Sequence, residues 1–151
     1  MEYINQLFTN EYLMIAIVSW FIAQAIKVIL PLIKDKHLDF TRLFGSGGMP
    51  SSHASFTVSL ATAIGFKTSF NSIEFALAAA FAIVVMYDAT GVRRSAGEQA
   101  KILNKIVDSM RHEKFTQTGE KLKELLGHTP FEVFWGAVLG ISVAVFYYFC
   151  I

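Results

Sequence analysis

The chain of 151 residues has one cysteine, three prolines and few charges, and each shortage excludes something. A lone Cys150 beside the C-terminus leaves no intramolecular disulfide and no Cys-x-x-Cys metal or redox motif. Charged residues make up 17% of the chain, against roughly 25% in an ordinary soluble domain. The net charge is +1, so no broad field invites nucleic acid, and so apolar a composition does not describe a disordered chain. The opening MEYINQLFTNEY holds no Lys or Arg, so the basic region of a cleavable signal peptide is missing. Neither an internal repeat nor a low-complexity tract is present.

Apolar sequence is what the chain has in quantity, with a mean hydropathy of +0.47 and 14 phenylalanines. Leu13–Ile33 is long enough to cross a hydrocarbon core, which takes about 20 helical residues, although Gln24 and Lys27 interrupt it. Phe131–Ile151 carries only Glu132, at its start. Two weaker runs, Ala54–Phe66 and Phe75–Tyr87, reach spanning length when their flanks are included. The pattern predicts an all-α integral membrane bundle, one domain over 1–151, with four transmembrane helices near 12–33, 51–70, 72–91 and 130–151. Four spans bury little contact, which leaves room for a homodimer.

Four crossings place the loops 34–52 and 91–130 on one side. Together they hold 11 of the 13 basic residues, all but Lys27 and Lys67. By the positive-inside rule these loops face the cytoplasm and both termini face out, as in a multi-pass protein of the cell membrane. Within 95–127, Ala96, Ala100, Leu103, Val107 and Met110 recur at helical spacing among Lys101, Lys105, Asp108 and Arg111. That marks an amphipathic cytoplasmic helix, and Leu122, Leu125 and Leu126 suggest a second, closed by Gly127. Such helices either lie on the membrane surface or cap the bundle.

Four places carry candidate chemistry. Gly45-Ser46-Gly47-Gly48-Met49-Pro50-Ser51-Ser52-His53 precedes an apolar run. Its glycines free backbone amides to face an anion, a helix N-terminus adds a favourable dipole, and Ser51 and Ser52 add hydroxyls. His53 then reads as a proton donor, or else as an interfacial residue after a serine cap. In Gly127-His128-Thr129-Pro130-Phe131-Glu132, a Thr129–Glu132 capping box with Pro130 at the first helical position accounts for all but His128. The competing reading has Glu132 fix the His128 tautomer and leave the other nitrogen nucleophilic. Arg93 and Arg94 suit phosphate oxygens or simple anchoring at the cytoplasmic surface, and Asp88 suits a counter-charge for an arginine or for Lys27. Lys27 either snorkels to the interface or points into the same site. The topology brings His53, Arg93, Arg94, His128 and Glu132 to one face, as a phosphate-transfer site requires.

Pro50-Ser51-Ser52-His53 resembles the PSGH motif of the type 2 phosphatidic acid phosphatase superfamily, which includes vanadium haloperoxidases. His128-x3-Glu132-Val133-x2-Gly136-x3-Gly140 resembles its HxxxDVxxGxxxG ending. GGMPSSH, MYDATGVRRSAGEQA and LLGHTPFEV together look like its divergent branch of small YuiD-type membrane proteins, a likeness running from about Gln24 to Gly140. The resemblance implies that His128 attacks phosphorus to give a phosphohistidine, that Glu132 orients it in place of the usual Asp, and that His53 protonates the leaving alcohol. Ser51, Ser52 and the amides after Gly48 would hold the transition-state oxygens, with no metal and no other cofactor. The superfamily's Lys-x6-Arg-Pro motif has no counterpart: five residues separate Lys36 from Arg42, no Pro follows, and Leu122 stands where an arginine is expected. Arg93 or Arg94 is left to take that role.

The function so implied is hydrolysis of a lipid phosphate at the cytoplasmic leaflet. Its partners would be the lipid substrate and the surrounding membrane lipids, not nucleic acid. That orientation favours phosphatidylglycerophosphate or phosphatidic acid over an isoprenoid pyrophosphate recycled on the outer face. Two other classes stay open: a transporter or flippase using Gln24, Lys27 and Asp88 as a polar path, and a lipid-phosphate binder without turnover.

Overall fold

The computed structural model describes residues 1–35, 48–111 and 127–151. The described residues form only helices: α1 (Glu2–Phe8), α2 (Glu11–Asp35), α3 (Ser52–Lys67), α4 (Ile73–Thr90), α5 (Val92–Arg111) and α6 (Pro130–Cys150). The short α1 falls in what the sequence suggested was a plain tail, and it buries no residue. Asn10 ends the break after it, its Oδ1 accepting from the Leu13 N–H at 3.1 Å to cap α2.

Stretches Glu11–Leu30, Ile73–Ser109 and Pro130–Cys150 are long and apolar enough to cross a membrane. The expected helix at 51–70 is shorter in the structure, 16 residues from Ser52 to Lys67. At 1.5 Å per residue that is about 24 Å, below the ~30 Å of a hydrocarbon core. Lys67 marks its end, held to Glu11 at the start of α2 by a 2.9 Å ion pair.

Helix α3 is the hub, packing against α2, α4 and α6. Its buried side chains are all small: Ser52, Ala54, Ser55, Thr57, Ser59, Ala61, Ala63 and Gly65. The partners match it, with Ala16, Ser19 and Ala23 on α2 fully buried and Gly136, Gly140 and Ala144 buried on α6. Large apolar residues face outward, among them Phe21, Leu77, Phe81, Val84, Phe134 and Phe146. This inverts the soluble pattern and is what lipid dictates, because helices there gain little by hiding leucine and much by close backbone contact.

The α3–α6 seam is the tightest contact. A Cβ on Gly140 would lie 2.6 Å from the Ser55 carbonyl oxygen and 2.9 Å from the Ser59 nitrogen. One on Gly136 would strike the Ser51 carbonyl oxygen. From the other side, Ser19 Oγ lies 2.6 Å from Ser55 Oγ and also donates to the Ser55 carbonyl at 3.2 Å. Thr57, Ser59 and Thr62 bond carbonyls of their own helix one turn back, so these three hydroxyls are satisfied within α3.

Three backbone and side-chain ties define one end of the bundle. Lys27 on α2 reaches Ser52, the Ser51 N–H donates to the Glu132 carbonyl, and the His128 N–H donates to the Ala89 carbonyl. The chain therefore runs down α2, up α3, down α4 and up α6 relative to that end. Helix α5 leaves it after Gly91 and is amphipathic as expected, but Ile102, Leu103, Ile106 and Val107 are exposed while Asn104 is buried. The second expected cytoplasmic helix, around Leu122, Leu125 and Leu126, lies outside the described residues, as do Lys36 and Arg42.

Replacing Gly140 with Ile should force α6 off α3 and lower stability by about 1–3 kcal/mol or more, the usual range for overpacking. Thermal unfolding in detergent will show this as a lower Tm, while the outward-facing Phe146→Leu leaves Tm within error.

Candidate active site

Two chain entries into helices build the site. The first is Gly48 to His53. Gly48 sits at φ +97°, a conformation that favours glycine, and lies against the aliphatic part of Lys27. Ser51 is fully buried as the N-cap of α3: its Oγ accepts from the Ala54 N–H at 3.4 Å, and its N–H is fixed to Glu132 at 2.9 Å. Ser52 Oγ accepts from Lys27 Nζ at 3.3 Å. His53 follows on the first turn and is exposed.

The second entry is Gly127 to Glu132. A Cβ on Gly127 would fall onto the Arg94 backbone, so only glycine lets this strand of chain lie on the start of α5. That contact and the 3.1 Å bond from the His128 N–H to the Ala89 carbonyl place His128 over the end of α4. Its side chain is 3% exposed. Nδ1 stands 3.1 Å from Glu132 Oε2. An ionised carboxylate only accepts, so Nδ1 carries the hydrogen and Nε2 keeps its lone pair. Nε2 is buried and has no hydrogen-bond partner among the described residues.

The capping box is present as expected, with Thr129 Oγ1 accepting from the Glu132 N–H and Glu132 Oε2 accepting from the Thr129 N–H at 3.0 Å. Capping and orienting His128 looked like competing roles for Glu132 in the sequence. One oxygen with two lone pairs performs both.

Lys27 does not snorkel. It is 3% exposed, bonded to Ser52, and close enough to Glu132, His128 and His53 to act on each electrostatically. Arg93 and Asp88 also act on His53, and Arg93 Nε is bound to Asp88 Oδ2 at 2.6 Å. Asp88 thus serves an arginine, one of the two counter-charge roles the sequence offered. The side chain of Arg94 goes elsewhere, to Glu98 at 3.3 Å on its own helix. The cluster therefore gathers Lys27, Gly48, Ser51, Ser52, His53, Asp88, Arg93, His128 and Glu132. Spacing gave no sign of the Ala89 carbonyl or of the role of Gly127, which read as a helix stop.

Burial pushes the His128 imidazole below the usual histidine range, and the Lys27 and His53 charges add to this while the Glu132 hydrogen bond opposes it. The arrangement offers a neutral, lone-pair-bearing imidazole, a buried ammonium, an open second imidazole and the positive end of a helix dipole. Together these can receive a phosphoryl group, the anion being held by cations while the nitrogen attacks. Nitrogen-15 NMR of His128 should show the Nδ1–H tautomer at neutral pH, with protonation only below the ordinary value near 6.5. Because the unfolded chain binds that proton more readily, the folded state loses stability as pH falls through about 6.5. A His128→Asn variant removes that part of the slope.

The profile of the Divergent PAP2 family matches residues 8–143. YuiD of Bacillus subtilis (strain 168), whose name describes an uncharacterized membrane protein, is 40% identical over 150 aligned positions, covering 93% of this chain and 95% of YuiD. No solved structure matches the chain. With nearly its whole length matched, the chain is a membrane protein of the Divergent PAP2 family, a branch of a phosphatase superfamily.

Proposed function

We propose that the protein is a lipid phosphate phosphatase that cleaves a phosphomonoester or pyrophosphate through a phosphohistidine, without a metal. The observation that carries this reading is the buried, unpartnered His128 Nε2, locked by Glu132 beside Lys27 and His53. Nε2 attacks phosphorus, the bond to the leaving oxygen breaks, and protonated His53 gives that oxygen its proton. Neutral His53 then takes a proton from water, whose oxygen attacks the phosphohistidine, releasing phosphate and restoring Nε2. Lys27, the first-turn amides of α3 and Arg93 balance the equatorial oxygens, and Ser52 holds Lys27 in place. Asp88 holds Arg93 by its ion pair, and both charges act on His53.

Helices α2, α3, α4 and α6 serve as four membrane helices in this reading. The short α3 is shielded by the other three, and the site end faces the cytoplasm. Arg93, Arg94, Lys101 and Lys105 cluster after that end of α4, and 11 of the 13 basic residues fall in the two loops on this side. The pairing of Arg93 with Asp88, and of Arg94 with Glu98, favours one second reading, a lipid-phosphate binder without turnover.

Purified protein with EDTA present should release phosphate from lipid phosphates, and His128→Ala should abolish it for every substrate. His53→Ala should lower kcat/KM, which reads the first transfer and not the later attack of water, by about 10²–10⁴-fold on alkyl phosphates. It should lower it far less on p-nitrophenyl phosphate, whose leaving group needs no proton. An equal loss on both substrates overturns the acid role of His53. No release from any lipid, with phosphate binding kept in His128→Ala, establishes the binder instead.

A further inference from the structure

Among the cavities lined by described residues, two hold more than a few waters' volume. One, about 260 Å³, lies at the opposite end around the Glu11–Lys67 pair. The other, about 440 Å³, opens between α2, α3 and α4 and is walled by Trp20, Phe21, His53, Phe56, Phe81 and Val85. Its volume falls within the ~300–1,000 Å³ of small-molecule sites. Besides His53, the polar groups on its wall are the indole N–H of Trp20 and the Thr57 hydroxyl, which is already bonded to the His53 carbonyl at 3.0 Å.

His53 belongs to both regions. It borders the groove, and it feels the charges of Lys27, Arg93 and Asp88 in the polar cluster. From Lys27 back to Trp20 and Ile17 on α2 is seven to ten residues, so the groove reaches about 10–15 Å from the site toward the middle of the bundle. Phe21 and Phe81 on its rim are exposed, which opens it sideways to lipid.

We infer that the substrate is a phosphate ester of a single hydrocarbon chain, bound with its phosphate at His128 and its chain in the groove between α2, α3 and α4. This rests on the reading of His53 as the acid that protonates the leaving oxygen. An acid must come within about 2.6–3.2 Å of that oxygen. Since His53 is itself a groove-lining residue, a leaving oxygen within its reach puts the first carbons beyond it at the groove mouth. A diacylglycerol would bring a glycerol unit and two ester carbonyls there, where the walls are largely apolar, and unpaired polar groups are costly to bury. A straight alkyl or prenyl chain brings none. The structure thus shifts the substrate away from the diacylglycerol phosphates that orientation alone favoured.

Trp20 reports on the groove directly. In a Trp135→Phe background, which leaves Trp20 as the sole tryptophan, the protein is placed in phosphatidylcholine nanodiscs and titrated with a monoalkyl phosphate whose chain carries bromine. Quenching should saturate. Dodecyl phosphate should compete for it at least tenfold better than dodecanol or phosphatidic acid, and Val85→Phe should weaken it at least tenfold. Quenching that never saturates, or that dodecanol or phosphatidic acid relieves equally well, overturns the inference. Phosphate release is followed in the same samples. Saturable quenching without release upholds the groove and sinks the phosphatase, and release without saturable quenching does the reverse.

Discussion

The contact of α6 with α3 through bare glycine is the constraint on which the rest depends. With hydrogen as the side chain at 136 and 140, α6 lies on the carbonyls of Ser51 and Ser55. That approach puts the Ser51 N–H within bonding distance of the Glu132 carbonyl and so fixes the start of α3 against the start of α6. The two catalytic candidates at those starts, His53 and His128, are registered by the backbone. Neither depends on a long flexible side chain for its placement.

The same economy appears at the α4 end. Ala89 would normally leave its carbonyl unpaired near a helix C-terminus, and the His128 N–H takes it. Gly127 makes this possible by lying flat on the Arg94 backbone. Three helix termini are thus joined by main-chain contacts around the cluster of Lys27, His53, His128 and Glu132. Scaffold and chemistry are largely separate sets of atoms, Glu132 being the residue that belongs to both.

Much of this was legible in the sequence. The apolar runs place α2, α4 and α6 within a few residues of their observed limits, because hydropathy acts on each helix separately. The strings around His53 and His128 stand out because glycine, proline and capping residues mark helix starts locally. What needed coordinates was every question of facing. Gly136 and Gly140 are visible as a spacing, yet spacing does not say that Ser55 and Ser59 lie opposite. Lys27 could equally have reached water or the site until α3 was set beside it. Arg93 and Arg94 are neighbours in the chain, and the helical step of about 100° between them sends one to Asp88 and the other to Glu98.

The buried Lys27 also bears on how such a chain is assembled. In an α2 placed in lipid without the rest of the bundle, the lysine would have neither the Ser52 hydroxyl nor the charge of Glu132 beside it. A lysine near the centre of a lone helix costs about 2.5–3.5 kcal/mol on insertion, less toward an end where the ammonium can still touch water. A lone α2 would therefore ride with its cation at the interface. Docking of α3 and α6 supplies the acceptor and the counter-charge, so the depth of this helix is set by its neighbours as much as by its own hydropathy.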